Sequence, residues 1–233
     1  MRCKKRYKNM FLYNIIMDLF KHTLYINLEE RTDRLAEVQS ELSKMGIVGE
    51  RFNAVKTKTG AVGCTMSHIR CLQLAKERGY EQVFICEDDI VFTDPETFKT
   101  NLERFYDNDE FVWDVLFVSG NNGPPFFTVS DYCSRVWNCQ TTAGYIVKQS
   151  YYDTLLANFK EGLQYLLREP TKPMLYAIDM YWKRLQKQDF WYIITPLTVI
   201  QRPGYSDVEN REVDYTKLIL DFEKPWLKPK ATV

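Results

Sequence analysis

The stretch VFICEDDIVF, residues 83–92, sets three consecutive carboxyl groups, Glu87, Asp88 and Asp89, inside an apolar run the length of one buried strand and its exit. Like charges about 4 Å apart repel by roughly 1 kcal/mol in water and roughly 4 kcal/mol at an effective dielectric near 20. An acidic cluster at a strand end therefore asks for a cation. A divalent metal held by oxygen ligands is the simplest answer, and a solvated acidic turn is the bland one.

The residues before this stretch give it a setting. TLYINL at residues 23–28 reads as a first core strand. Leu35, Val38, Leu42 and Met45 then fall on one helical face over residues 31–45, and Gly46 stops that helix. Residues 51–55 read as a second strand and residues 56–63, with two glycines and two threonines, as a loop. Residues 65–78 place Ile69, Leu72 and Ala75 inward, with Lys76 and Arg78 in the last turn and Gly79 as the stop. Strand, helix, strand, helix, strand in this rhythm predicts an α/β fold, with a mixed, mostly parallel sheet flanked by helices. Ligands of such sheets bind at the carboxyl ends of the strands. Asn27, Arg31 and Arg34 follow the first strand, Thr65, Ser67 and His68 open the second helix, and the acidic triplet ends the next strand. All are expected on one rim.

Downstream, Asp94 and Pro95 open a helix through residue 106. Residues 113–118 and 141–147 read as strands, residues 119–125 as a polar pocket-lining loop, residues 149–159 and 178–188 as helices, and residues 190–194 as a late strand. No internal linker interrupts residues 23–220, so the expected organisation is an amino-terminal extension (1–22), one catalytic-size domain (23–220) and a loosely attached tail (221–233). The extension joins a basic run to an apolar segment over residues 10–20. That segment is interrupted by Asn14 and Asp18, lacks a small-x-small cleavage site and is too short to span a bilayer, so Met17 reads as a plausible start.

The 233 residues are 45% hydrophobic, enough for a real core, and 31 basic residues cancel 31 acidic ones. No global field recruits nucleic acid or an anionic membrane, so an anionic ligand must be held locally. Six cysteines without a C-x-x-C pair argue against a zinc site and fit reduced thiols in a core, and a cytoplasmic setting is expected ahead of a secretory-pathway lumen. With only His22 and His68 present, carboxylates are expected to carry any metal chemistry. Trp113, Trp137, Trp182 and Trp191 are expected mainly in the core.

Five segments, INLEERTDR (residues 26–34), GCTMSH (63–68), FICEDDIVF (84–92), TTAGYIV (141–147) and YAIDMYW (176–182), occur in the order and approximate spacing of glycosyltransferase family 25, which the chain resembles from about residue 23 to about residue 215. That family includes lipopolysaccharide sugar transferases and procollagen galactosyltransferases. The resemblance implies a GT-A-type fold, a nucleotide-sugar donor such as UDP-galactose or UDP-glucose, a divalent metal (manganese or magnesium) and inversion at the anomeric carbon. It maps the D-x-D element onto the triplet, with Asp89 as metal ligand, Glu87 as a metal or ribose contact and Asp88 towards the sugar or backbone. Alternation along an extended segment agrees with that split.

Asn27, Arg31 and Arg34 match the nucleotide-binding loop, Ser67 is a further candidate for donor binding, and His68 is expected either to bond a phosphate or to orient a carboxylate. Asp179 matches the aspartate expected as general base, and Asp207, in PGYSDV at residues 203–208, is a candidate third metal ligand. The chain departs from the family at Ala61-Val62, where many members carry Glu-Ile. The acceptor hydroxyl that this resemblance implies belongs to a glycan, a lipid-linked sugar or hydroxylysine. The competing expectation is a catalytically weak nucleotide-sugar-binding partner domain in glycan or collagen modification, and a third is magnesium-dependent phosphoryl transfer.

Overall fold

The structure, a computed structural model, describes residues 18–227. The basic run, most of the apolar segment and Met17 lie outside the described residues. From residue 18 onward the chain is packed in: Leu19 and Phe20 are buried, and the Phe20 ring meets Phe84 edge-on at 4.8 Å.

The first half alternates as its apolar periodicity requires. Strand β1 (Thr23–Asn27) leads to helix α1 (Thr32–Lys44), β2 (Glu50–Asn53), α2 (Gly60–Glu77), β3 (Gln82–Glu87), the short β4 (Ile90–Phe92) and α3 (Pro95–Tyr106). Asp94 caps α3 by accepting from the Thr97 amide at 3.1 Å, with proline at the first turn. Beyond it come β5 (Val115–Asn122), β6 (Phe126–Thr128), β7 (Cys133–Val136), β8 (Cys139–Lys148) and α4 (Tyr152–Arg168). Three single turns follow, α5 (Pro173–Tyr176), α6 (Ile178–Tyr181) and α7 (Lys183–Gln186). The chain closes with β9 (Trp191–Ile194), β10 (Val199–Gln201), the β11 (Gly204–Ser206) and β12 (Arg211–Val213) hairpin, and α8 (Thr216–Leu220).

The main sheet has the order β2-β1-β3-β8-β5-β9-β7-β6. Following its ladders from strand to strand, six strands run one way and only β7 and β8 run the other. The expected mixed, mostly parallel α/β sheet is therefore present. Val83 and Ile85 of β3 face α2 and α4, through Leu72, Ala75 and Leu155, while Phe84 and Cys86 face α1 and α3, through Val38, Leu42, Phe98 and Leu102. Strands buried on both faces read as continuous apolar runs, as β3 does. The cysteines among the described residues are free thiols, four of them buried.

Several boundaries differ from expectation for identifiable reasons. Helix α2 begins at Gly60, five residues early, because a glycine-rich entry permits close packing: a Cβ at Gly63 would sit 2.4 Å from the Val55 carbonyl oxygen. Residues 119–122 extend β5 rather than forming a loop, since they pair with β8 through register shifts after Phe117 and Ser119. Residues 178–188 form short turns instead of one helix, because two side chains there are recruited to the sheet. Trp182 donates its indole N–H to the Cys139 carbonyl at 3.0 Å, and Gln186 both accepts from the Cys139 amide (2.8 Å) and donates to that carbonyl (2.7 Å). The carboxyl-terminal segment also reaches inward: Lys224 is buried and its ammonium donates to the Asn122 carbonyl.

Tyr181 lies directly over Gly162 of α4, where an added Cβ would come within 2.9 Å of the ring and 3.1 Å of the Tyr181 Cβ. Helix propensity favours Ala by up to about 1 kcal/mol, but overpacking against the base of an aromatic side chain costs about 1–3 kcal/mol. Gly162→Ala is therefore expected to lower the denaturant midpoint with an unchanged slope; an unchanged or raised midpoint would show that α6 can slide away from α4.

Candidate functional site

The parallel register of β1 with β3 sets Ile26 opposite Glu87, so Asn27 arrives beside the residue after Glu87. There the chain turns: Asp88 and Asp89 form a two-residue turn between β3 and β4. The expected alternation within an extended segment does not hold, and the three carboxyl groups splay towards three different sets of partners.

Glu87 faces α2 and β8. Its Oε1 accepts from Thr142 Oγ1 at 2.6 Å, lies 3.2 Å from His68 Nε2 and takes the Cys64 thiol at 3.5 Å. Burial pushes this carboxyl up, but the His68 and Thr142 contacts outweigh it and hold the group below its ordinary value. His68 is fully buried, and its Nδ1 is 3.0 Å from the Tyr145 hydroxyl.

Asp88 faces α1. Asn27 Nδ2 donates to Oδ2 at 2.8 Å and Arg34 Nη1 to Oδ1 at 3.1 Å. Burial still leaves Asp88 above the ordinary carboxylate value, against the pull of Asn27 and Arg34. Asn27 is itself fixed by Arg51 Nε, 3.0 Å from its Oδ1, and by donating to the Arg31 carbonyl at 3.1 Å.

Asp89 has the thinnest company. Gln201 Nε2 stands 3.3 Å from Oδ2, while Oδ1 is buried with no hydrogen-bond partner. Burial first, then the charges of Glu87 and Asp88, push its carboxyl up to about 8. A buried carboxylate oxygen without a donor fits a bound cation, and it is the atom of the triplet that fits one best.

Arg34 is held at both ends, since Nη2 also donates to the Tyr205 carbonyl at 2.5 Å on β11. Arg31 is gripped by Asp33, at 3.1 and 3.0 Å, and by Asp207. Asp207 reaches that position because the following Val208 backbone packs on Gly60, where a Cβ would fall 2.5 Å from the Val208 Cα. Asp207 is thus the partner of Arg31, and the structure shows no contact between it and Glu87 or Asp89. Ser67 is committed to backbone, accepting from the Val55 amide and donating to the Gly63 carbonyl, both at 2.8 Å.

Asp179 opens α6 and approaches from β8. Its Oδ2 accepts from the Thr141 amide at 3.1 Å, and Thr141 has a φ of 86°, a left-handed conformation that a β-branched residue rarely adopts. Such strain costs of order 1–3 kcal/mol and persists where surroundings impose it. Burial raises the Asp179 carboxyl, with the Thr141 amide and the Lys183 charge opposing and Glu87 adding to the rise. Thr141 and its neighbour Thr142 thereby connect Asp179 to Glu87 across one residue of β8. Lys183, one helical turn on, donates to Gln140 Oε1 at 2.8 Å.

Apart from Ser67 and Thr65, whose buried hydroxyl donates to the Ala61 carbonyl at 2.8 Å, the expected residues follow one another along a rim, from Asp207 and Arg31 through Arg34, Asn27 and Asp88 to Glu87, His68 and Asp179. Sequence reasoning missed Cys64, Thr142, Tyr145, Lys183 and Gln201. The four-residue spacing of Cys64 and His68 on one helical face was an available signal; Thr142 and Tyr145 lie in the segment TTAGYIV, but their contacts, like that of Gln201, arise from strand pairing that no local pattern states.

The family model of glycosyltransferase family 25 (LPS biosynthesis protein) matches residues 59–121, which span α2, the acidic turn and β5. Over this segment the chain is similar to glycosyltransferase family 25. Solved structures with similar chain paths include a glycosyltransferase involved in glycosylation of the major capsid of PBCV-1 (11% identity, TM-score 0.40, covering 75% of this chain and 92% of that one). A mannose-1-phosphate geranyltransferase from Thermus thermophilus shows 12% identity and a TM-score of 0.38, over 79% of this chain and 63% of that one. A Drosophila β1,4-galactosyltransferase 7 mutant in complex with manganese, UDP-Gal and xylobiose shows 11% identity and a TM-score of 0.32, over 57% and 51%. None of these three likenesses bears on the site. No curated protein matches the chain. Among the described residues no helix is long and apolar enough to cross a membrane.

The state of Asp89 sets a pH dependence. Its folded value of about 8 lies above its ordinary value of 3.8, so the folded chain binds this proton more tightly than the unfolded chain. The stability it contributes is complete below about pH 4 and is lost as pH rises through about 8. Without divalent ions, the protein is expected to lose roughly 1–3 kcal/mol between pH 6 and pH 8 on this account. Urea unfolding across that window should show the loss in the wild type and a much flatter profile in Asp89→Asn. Equal slopes in both proteins would contradict this assignment of the Asp89 proton.

Proposed function

We propose that the chain is a metal-dependent, inverting GT-A-type hexosyltransferase, moving galactose or glucose from a UDP-sugar to an acceptor hydroxyl on a glycan, a lipid-linked sugar or hydroxylysine. The observation that carries the reading is the unpartnered, buried Oδ1 of Asp89 at the carboxyl end of β3, inside the segment that matches the family. A divalent cation held by Asp89 would supply positive charge beside the donor's two phosphates, where negative charge grows as the nucleoside diphosphate leaves.

The chain's own residues do the remainder. Arg34 and Asn27 hold Asp88 in place and line the nucleotide side of the rim, and Arg31 presents a planar cation there, restrained by Asp33 and Asp207. His68 and Thr142 fix the orientation of Glu87, leaving that carboxylate as the ribose or metal-side contact. Asp179 takes the proton from the acceptor hydroxyl as its oxygen attacks the anomeric carbon. Burial makes it a stronger base than an exposed aspartate, and the Thr141 amide keeps one oxygen oriented. In this reading Ser67 fixes the loop before α2, and Asp207 acts through Arg31 rather than as a metal ligand.

A panel of nucleotide sugars with manganese or magnesium, scored for donor hydrolysis and for a rise in Tm, tests the donor and metal assignments. Asp89→Ala is expected to abolish metal-dependent donor binding and transfer together, and normal turnover in that variant would sink the metal assignment. Asp179→Asn should keep donor affinity while kcat falls about 10²–10⁴-fold, the usual contribution of a general base. Near-wild-type kcat would move the base elsewhere; donor binding with no transfer to any acceptor in the wild type would favour a binding partner domain.

A further inference from the structure

On the α2 side of the acidic turn, Cys64 Sγ, His68 Nε2 and a Glu87 carboxylate oxygen lie within 4.8 Å of one another. Oε1 of Glu87 stands 3.2 Å from the histidine nitrogen and 3.5 Å from the sulfur. Ligands at zinc distances of about 2.0–2.1 Å for nitrogen and oxygen and 2.3 Å for sulfur, set tetrahedrally, stand about 3.3 Å (N to O) and 3.5 Å (S to O) apart. The two legs to the carboxylate thus match a tetrahedral first shell, and the third, from sulfur to nitrogen, lies within 4.8 Å. The geometry points to a binding site for a soft divalent ion, zinc or cadmium, formed by Cys64, His68 and Glu87 with a fourth position left for an exogenous ligand.

The surroundings have the form such sites require. Residues four apart on α2 deliver the thiol and the imidazole to one face, and the end of β3 delivers the carboxylate. A metal-bound histidine usually donates its other ring N–H to a fixed partner, and His68 Nδ1 meets the buried Tyr145 hydroxyl at 3.0 Å. The carboxylate has its own support in Thr142 Oγ1 at 2.6 Å. Cys64 and Glu87 are both partly exposed, which gives an ion a way in.

Binding releases the thiol proton to solvent, and the resulting thiolate and carboxylate together balance the ion's two positive charges. A sulfur and a nitrogen ligand select against magnesium and manganese, so the site differs in ion preference from the Asp89 carboxylate while sharing Glu87 with the proposed donor site. Its readout is spectroscopic and needs neither donor nor turnover.

Titration of the reduced, metal-free full chain with cadmium, followed by thiolate-to-cadmium charge-transfer absorption, tests the site. A band saturating at one ion per chain is expected in the wild type, in Cys3→Ser and in Asp89→Ala, and its absence in Cys64→Ser. Glu87→Gln and His68→Gln, which keep the thiol, should each weaken cadmium binding at least tenfold, and zinc should slow alkylation of Cys64 selectively, as mapped by mass spectrometry. No band in the wild type, a band persisting in Cys64→Ser, its loss in Asp89→Ala, or unchanged affinity in both Glu87→Gln and His68→Gln would each overturn the proposal. If Cys64→Ser fails to fold, the alkylation and the two thiol-retaining variants decide.

Discussion

Three carboxyl groups at the end of a buried strand can coexist only if their charges are kept apart or answered, and that constraint organises the rim of this protein. The turn at residues 88 and 89 does the separating: Glu87 is directed to α2 and β8, Asp88 to β1 and α1, and Asp89 towards β10. The answers are unequal. Glu87 has enough partners to sit below its ordinary value, Asp88 is paired yet still raised by burial, and Asp89 is raised to about 8 with one oxygen unanswered. Similar chemical groups in adjacent positions are thus given three proton affinities by their surroundings alone.

Strand β8 links these surroundings to the other half of the molecule. It runs antiparallel between β3 and β5, so its early residues arrive at the rim where those strands end. From there Thr142 meets Glu87, Thr141 meets Asp179, and the Cys139 backbone is clamped by Trp182 and Gln186. Asp179 does not stand on a long rigid helix. Its place is fixed by indole and amide hydrogen bonds to one strand residue and by Tyr181 lying on Gly162. Buried polar groups bonded to backbone in this way specify one arrangement, since displacement would leave several donors and acceptors unpaired at about 1–3 kcal/mol each.

The parts of the fold visible in sequence were those with local causes. The apolar face of α1, the Asp94-Pro95 start of α3 and the two-sided apolar run of β3 all state their structure within a few residues. The direction of β8, the breaking of residues 178–188 into turns and the extension of β5 to Asn122 depend on partners far away in the chain, which no window contains. The site divides in the same way. INLEERTDR, GCTMSH and the acidic triplet could be placed on one rim because strand order follows from alternation, and the structure brings them together there. The setting of Asp207 depends on a hairpin docking on Gly60, where it pairs with Arg31. Ser67 lay in a motif beside His68, yet one helical step turns it towards backbone.

Glu87 is where two environments meet. Its charge contributes to the high proton affinity of Asp89, while its Oε1 is the corner shared with Cys64 and His68. A cation held by the thiol, imidazole and carboxylate would cancel the charge that helps make Asp89 attractive to a second cation, and the two ions would repel directly as well. Linkage makes that penalty reciprocal: an ion at Asp89 weakens a soft ion at Cys64 by the same factor. At an effective dielectric near 20, unit charges about 4 Å apart interact by roughly 4 kcal/mol, which sets the scale of such coupling. Ions at the two sides would therefore oppose each other through Glu87, and the choice between them would fall to ligand chemistry, sulfur and nitrogen on one side and the Asp89 carboxylate on the other.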